Sequence, residues 1–157
     1  ARGIDFSLGY RTGFLGGQLG ADIKGTYLLR QETQAVPGIP ASIVRAMGRF
    51  TDPRFRASMF VNYARDRWEV TLGGRLQGAG VVDPNVSREY NDNDNIPAIF
   101  YGDASVSFTP AENLRLTLGV NNLFDVEPPY NPSTATGANG YYDVVGRRYF
   151  ISAKTKF

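Results

Sequence analysis

The residues with most chemistry to offer sit between stretches of alternating polarity. Asn91-Asp92-Asn93-Asp94-Asn95 sets side-chain oxygens in a row, and hard cations such as calcium take oxygen ligands. The run lacks the turn glycine and spaced bidentate glutamate of an EF-hand loop. Asn and Asp are also common turn formers, so it reads as a polar loop and no metal is assigned. Tyr90, Tyr130, Tyr141 and Tyr142 lie beside it or in a second polar stretch; such phenols stack on and hydrogen-bond a ligand, or equally pack a loop. The candidate ligand-binding residues are therefore Tyr90, Asn91, Asp92, Asp94, Tyr130, Tyr141 and Tyr142. A third group, Arg75, Asp103, Arg115, Arg148 and Lys154, carries charge inside otherwise strand-like segments. Its cations suit either an anionic ligand or carboxylates of the surrounding wall or of a separate domain.

Catalysis has little to build on. Asp83 and Glu89 form a carboxylate pair of the kind used in acid–base chemistry, but the 157 residues include no histidine and no cysteine. Ser-His and Cys-His nucleophile systems, the usual zinc sites and disulfides are thereby excluded. With no nucleophile in a recognisable setting, the expectation is no enzyme, no catalytic residue and no cofactor. The 17 basic and 15 acidic residues are scattered, without the concentrated basic field that nucleic-acid binding uses, so no nucleic-acid partner is expected. The opening Ala1-Arg2-Gly3-Ile4-Asp5 has neither the charged nor the apolar region of a signal peptide.

The elements that must position these groups are strands. Mean hydropathy is −0.27, and no apolar run approaches the ~18 residues of a transmembrane helix. Period-2 alternation predicts seven strands, at 3–11, 18–30, 54–64, 68–77, 100–108, 114–121 and 148–157. The connections alternate: Thr12–Gly17, Arg65–Arg67 and Thr109–Asn113 are short, whereas Gln31–Pro53, Gly78–Ile99 and Asn122–Arg147 are long. Transmembrane barrels have short periplasmic turns and longer extracellular loops. On that pattern the first strand descends and the last ends at the periplasm.

Parity sorts the strands into two faces. One face carries Ile4, Phe6, Leu8 and Tyr10, then Leu19, Ile23, Tyr27, Phe55, Met59, Tyr63, Trp68, Val70, Leu72, Phe100, Val106, Phe108, Leu116, Leu118, Tyr149, Ile151 and Phe157, and no charge. The other holds Asp5, Arg11, Asp22, Lys24, Arg30, Arg54, Arg56, Glu69, Arg75, Asp103, Arg115, Arg148, Lys154 and Lys156. A Lys or Arg facing lipid at the midplane costs ~2–4 kcal/mol, so a bilayer would enforce this partition, although a soluble sandwich would also produce it. The aromatics separate the two. Phe55 and Tyr63, Phe100 and Phe108, and Tyr149 and Phe157 are each eight residues apart on the apolar face. That spacing is ~26 Å along a strand, or ~20 Å vertically in a tilted barrel, close to the ~25 Å between aromatic girdles. Tyr10 and Trp68 join the lower girdle and Tyr27 the upper one.

The run Gly119-Val120-Asn121-Asn122-Leu123-Phe124-Asp125, then Glu127-Pro128-Pro129-Tyr130, Tyr142-Asp143 and Gly146-Arg147-Arg148-Tyr149-Phe150 leading to Phe157, resembles the end of TonB-dependent outer-membrane receptors. Tyr101-Gly102-Asp103 and Gly3-Ile4-Asp5 also fit. The resemblance implies an antiparallel transmembrane β-barrel of about 22 strands around an N-terminal plug that binds TonB. Residues 1–157 would then be seven C-terminal strands without a plug, the first being the sixteenth. Open edges are not tolerated in lipid, so the remaining strands and plug must come from another polypeptide or a missing portion.

The partners so implied are those strands, the plug, TonB through the plug, the barrel-assembly machinery through the terminal strand, and membrane lipid. The implied place is the bacterial outer membrane with a periplasmic C-terminus. The implied function is uptake of a siderophore or other nutrient through ligand binding at outer loops and plug; a passive porin segment is the alternative.

Overall fold

The computed structural model describes residues 1–49, 52–82, 95–129 and 142–156, and the chain is all-β there. Its strands are β1 (Arg2–Phe14), β2 (Gly17–Arg30), β3 (Glu32–Gln34), β4 (Ile43–Arg45), β5 (Phe55–Arg65), β6 (Trp68–Gln77), β7 (Gly80–Val81), β8 (Asn95–Ile96), β9 (Ile99–Ala111), β10 (Leu114–Asn121) and β11 (Arg148–Thr155). Seven of them form one antiparallel sheet in the order β1-β2-β5-β6-β9-β10-β11, each long strand pairing with the next in sequence. This is the seven-stranded antiparallel meander that the alternation predicts. The sheet is open, with β1 and β11 at its edges.

The short connections are tighter than predicted. β1 runs on to Phe14, which leaves only Leu15 and Gly16 in the first turn, both at positive φ (46° and 77°). Positive φ at both central residues matches the right-handed twist of a two-residue hairpin. β5 and β6 are joined by Asp66-Arg67, with Asp66 at φ 53°. β9 continues through Pro110 to Ala111, so its turn is Glu112-Asn113, and the extra length is absorbed by a register shift between Leu114 and Leu116.

The long connections carry structure that alternation does not reveal. β3 and β4 form a small hairpin above β2, with a 3-10 turn at Pro40–Ser42 between them. β7 pairs with β8, and Arg49 bridges to Val81. The first and second long connections are thus tied together by backbone.

Burial is inverted relative to a water-soluble sheet. The apolar face is uncovered: Leu8 is 64% accessible, Leu72 50% and Ile151 83%. The buried apolar residues are few, Ile96, Ile99, Tyr101 and Tyr142, with Val82 and Val126 packed against them. They sit at the long-connection end, where loops meet the start of β9. No helix among the described residues is long and apolar enough to cross a membrane.

The register also relates the aromatics to one another. One row of paired residues runs Tyr10, Ala21, Val61, Leu72, Ala104, Val120, Tyr149 across all seven strands. With strands ~4.8 Å apart and tilted ~40°, such a row climbs ~18 Å over six steps. With that tilt applied to the register, in the sense that raises β11, Tyr10, Tyr63, Trp68 and Phe108 fall within ~3 Å of one level. Tyr27, Phe55, Phe100 and Tyr149 gather ~18–22 Å above it. Within the lower level the Trp68 and Phe108 rings touch, with centroids 4.5 Å apart. Phe157 lies outside the described residues.

Candidate functional site: the charged face and its rim

The charged face is organised by ion pairs within the wall. Arg75 reaches Asp103 across the β6–β9 pair at 3.6 Å, and Arg115 on β10 reaches Glu69 on β6 at 2.9 Å. Both pairs are roughly a third exposed or more, so each contributes less than ~1 kcal/mol. Their effect is to neutralise the wall locally. No ion pair among the described residues engages Lys154.

Toward the long-connection end the face widens into an open concavity of about 700 Å³ whose lining includes Asp5, Lys24, Thr26, Arg56, Ser58 and Arg75. Asp5 accepts a hydrogen bond from the Thr26 hydroxyl at 2.6 Å. Its lining is mixed in charge, with Lys24, Arg56 and Arg75 beside Asp5, and Arg75 is held by Asp103.

The rim above is a hydrogen-bonded knot built on β9. Asp103 accepts from the Asn122 backbone N–H at 2.9 Å. The fully buried Asn122 amide donates to the Val126 carbonyl at 3.0 Å and accepts from the Val126 N–H at 2.9 Å. Asn122 and Asp125 both adopt positive φ (53° and 56°), which Asn and Asp tolerate better than most residues. The last connection is thereby turned sharply as β10 ends. Its other end is fastened by Asp143, whose N–H donates to the Tyr101 hydroxyl at 3.2 Å and whose buried carboxylate accepts from Arg148 at 3.0 Å. The Arg75 guanidinium lies 5.4 Å from the Tyr101 ring centroid, a cation–π distance. Asp125 closes the knot by accepting from the Arg147 N–H at 2.8 Å.

The candidates from sequence separate accordingly. Arg75, Asp103, Arg115 and Arg148 are placed in wall or rim pairs. Of the proposed ligand-binding tyrosines, Tyr142 is only 7% exposed and packs with Ile96, Ile99 and Tyr101, and burial pushes its phenol above the ordinary value. Tyr90, Asn91, Asp92, Asp94, Tyr130 and Tyr141 lie outside the described residues, as do Asp83 and Glu89. No group of three or more metal-ligating side chains occurs among the described residues. Asn122 and Asp143 were quoted only within a motif. The Asn122 side chain works locally, on Val126 four residues on, whereas Asp143 depends on Tyr101, 42 residues away, which local spacing does not encode.

No curated protein matches the sequence. Among solved structures, the chain is similar to a mutant ferric enterobactin receptor from Pseudomonas aeruginosa in complex with enterobactin, at 13% identity and a TM-score of 0.49. The match covers 99% of this chain and 31% of that one, so the chain spans about a third of the receptor's length. The family model for the TonB dependent receptor-like β-barrel matches residues 1–123. The chain belongs to the TonB-dependent receptor β-barrel family, whose members are outer-membrane proteins.

Proposed function

We propose that this chain is the C-terminal wall of a TonB-dependent transporter that takes up a siderophore or another nutrient, and that it contributes no catalytic group. The observation that carries this reading is the seven-stranded antiparallel sheet with one uncharged, aromatic-rich face; with the ~40° tilt of a barrel applied, its register sets those aromatics on two levels ~20 Å apart. In this reading the short turns and the C-terminus are periplasmic and the knotted rim is extracellular, in a Gram-negative outer membrane. Ligand reaches the long connections and the concavity lined by Asp5, Lys24, Arg56 and Arg75. The plug and the other strands lie outside this chain, TonB acts through the plug, and the assembly machinery engages β11.

The test is uptake by the whole receptor in cells, with and without TonB, using a panel of ferric siderophores and other nutrients. Saturable uptake that disappears without TonB supports the reading. Uptake that persists without TonB, together with an open conductance in planar bilayers, would identify a passive porin instead.

A further inference from the structure

The long connections are fastened to one another through β7, a strand of two residues with backbone partners on both edges. On one edge Gly80 and Val81 pair with Ile96 and Asn95 of β8. On the other, the Val81 N–H donates to the Gly48 carbonyl at 2.8 Å and Arg49 forms a parallel bridge to Val81. The first connection comes so close that a Cβ on Gly80 would lie 2.6 Å from the Gly48 carbonyl oxygen. β8 carries the link onward. Ile96, only 2% exposed, shares a cluster with Ile99 and Tyr101 at the start of β9 and with Tyr142 of the third connection, and Val82 and Val126 pack against it. The second connection, the third and β9 thus each supply part of one small core. The third is also tied to β9 by the Asp143 N–H on the Tyr101 hydroxyl and by the Leu123 N–H on the Gly102 carbonyl, at 3.2 and 2.7 Å.

We propose that the three long connections form one cooperative unit, clamped by β7 and the Ile96 cluster, that opens and closes as a whole. None has the means to hold its shape alone. β3 and β4 pair over three residues and β7 and β8 over two, and isolated two-stranded pairs are at best marginally stable in water. Burial of Ile96 favours the closed arrangement only while residues of two connections and β9 are all in place around it. Backbone bonds through β7 then extend that condition to the first connection. Segments that share their stabilising contacts open together, and the coupling is reciprocal: loosening the first connection loosens the third, and the reverse. The inference stands on contacts within this chain and is independent of the ligand the receptor takes.

The test is hydrogen exchange, read by mass spectrometry, on the purified full-length receptor without added ligand. Gly80→Ala disturbs the contact with the first connection, and Tyr101→Phe removes the hydroxyl that holds the third while keeping the ring. In each variant exchange should rise by one common factor in the peptides containing residues 46–49 and 142–147. That factor is ~5- to ~150-fold for the overpacked Gly80→Ala and ~5-fold for the hydrogen bond lost in Tyr101→Phe. Amides of residues 58–63 on β5 should be unchanged. A rise confined to the connection beside the substitution overturns the unit, and so does no rise in either peptide. A matching rise on β5 would show the sheet opening as a whole and overturns it too. TonB-dependent uptake is scored on the unmodified receptor, and its absence would remove the transporter reading while leaving this unit standing.

Discussion

Replacing Asn122 by alanine gives a sharp test of the rim knot. The buried side chain makes two reciprocal hydrogen bonds with the Val126 backbone, 3.0 and 2.9 Å long, and holds φ at 53°. Each hydrogen bond contributes ~1 kcal/mol net, and the left-handed conformation costs an alanine ~1 kcal/mol. The bond from the residue 122 N–H to Asp103 survives. The local opening of the turn should therefore become easier by ~3 kcal/mol, or ~100-fold in the opening equilibrium. Asn122→Gly also loses the bracket but adopts positive φ freely, so its change should be ~2 kcal/mol, ~30-fold. Hydrogen exchange of the peptide containing residues 123–126, measured by mass spectrometry on the whole receptor, reads both. Unchanged exchange in Asn122→Ala would refute the idea that this amide holds the connection. Equal losses in the Ala and Gly variants would refute the conformational part alone.

Further expectations follow from the two faces and the close contacts. Leu72→Arg places a charge on the apolar face and should cost ~2–4 kcal/mol, seen as reduced assembled receptor. Asn62→Arg, one residue away in register but on the charged face, should assemble normally. Gly17→Ala should be the more disruptive glycine substitution, because its Cβ would lie 2.5 Å from the Ala64 carbonyl oxygen in backbone that cannot step aside. The three atoms nearest a Cβ on Gly119 all belong to the Phe150 ring, so in Gly119→Ala thermal stability should fall less and recover in part with Phe150→Leu. A double-mutant cycle on Glu69 and Arg115 should return a coupling below ~1 kcal/mol that fades at high salt. A coupling of several kcal/mol would mean that the pair is buried in the assembled barrel.

Strand content, order and facing were legible in the residues because the signal is local. Alternation with period 2 puts Leu72 outward and Thr71 inward whatever surrounds them. The two-residue turns force β1 beside β2, β5 beside β6 and β9 beside β10, whereas the long connections leave the other pairings to the assembled sheet. The Leu15-Gly16 turn was less legible, since nothing about leucine advertises positive φ, and the contacts its carbonyl accepts come from Tyr63 and Arg65, about 50 residues on. The β3–β4 and β7–β8 pairs are too short for alternation to stand out, and bonds between connections help hold them.

By itself, then, the sequence determined a seven-stranded meander with one lipid-compatible face, and it placed aromatics eight residues apart along that face. Only the tertiary structure decided the register that places Tyr10, Val61, Leu72 and Tyr149 in one row across the sheet, because pairing between strands is not encoded within any one of them. It also decided that Arg75 meets Asp103, that Tyr142 is packed away, and that Tyr101, Asp143 and Arg148 close the rim. These contacts join residues far apart in the chain, and a long-range contact forms only once register and loop path have brought both partners to the same place.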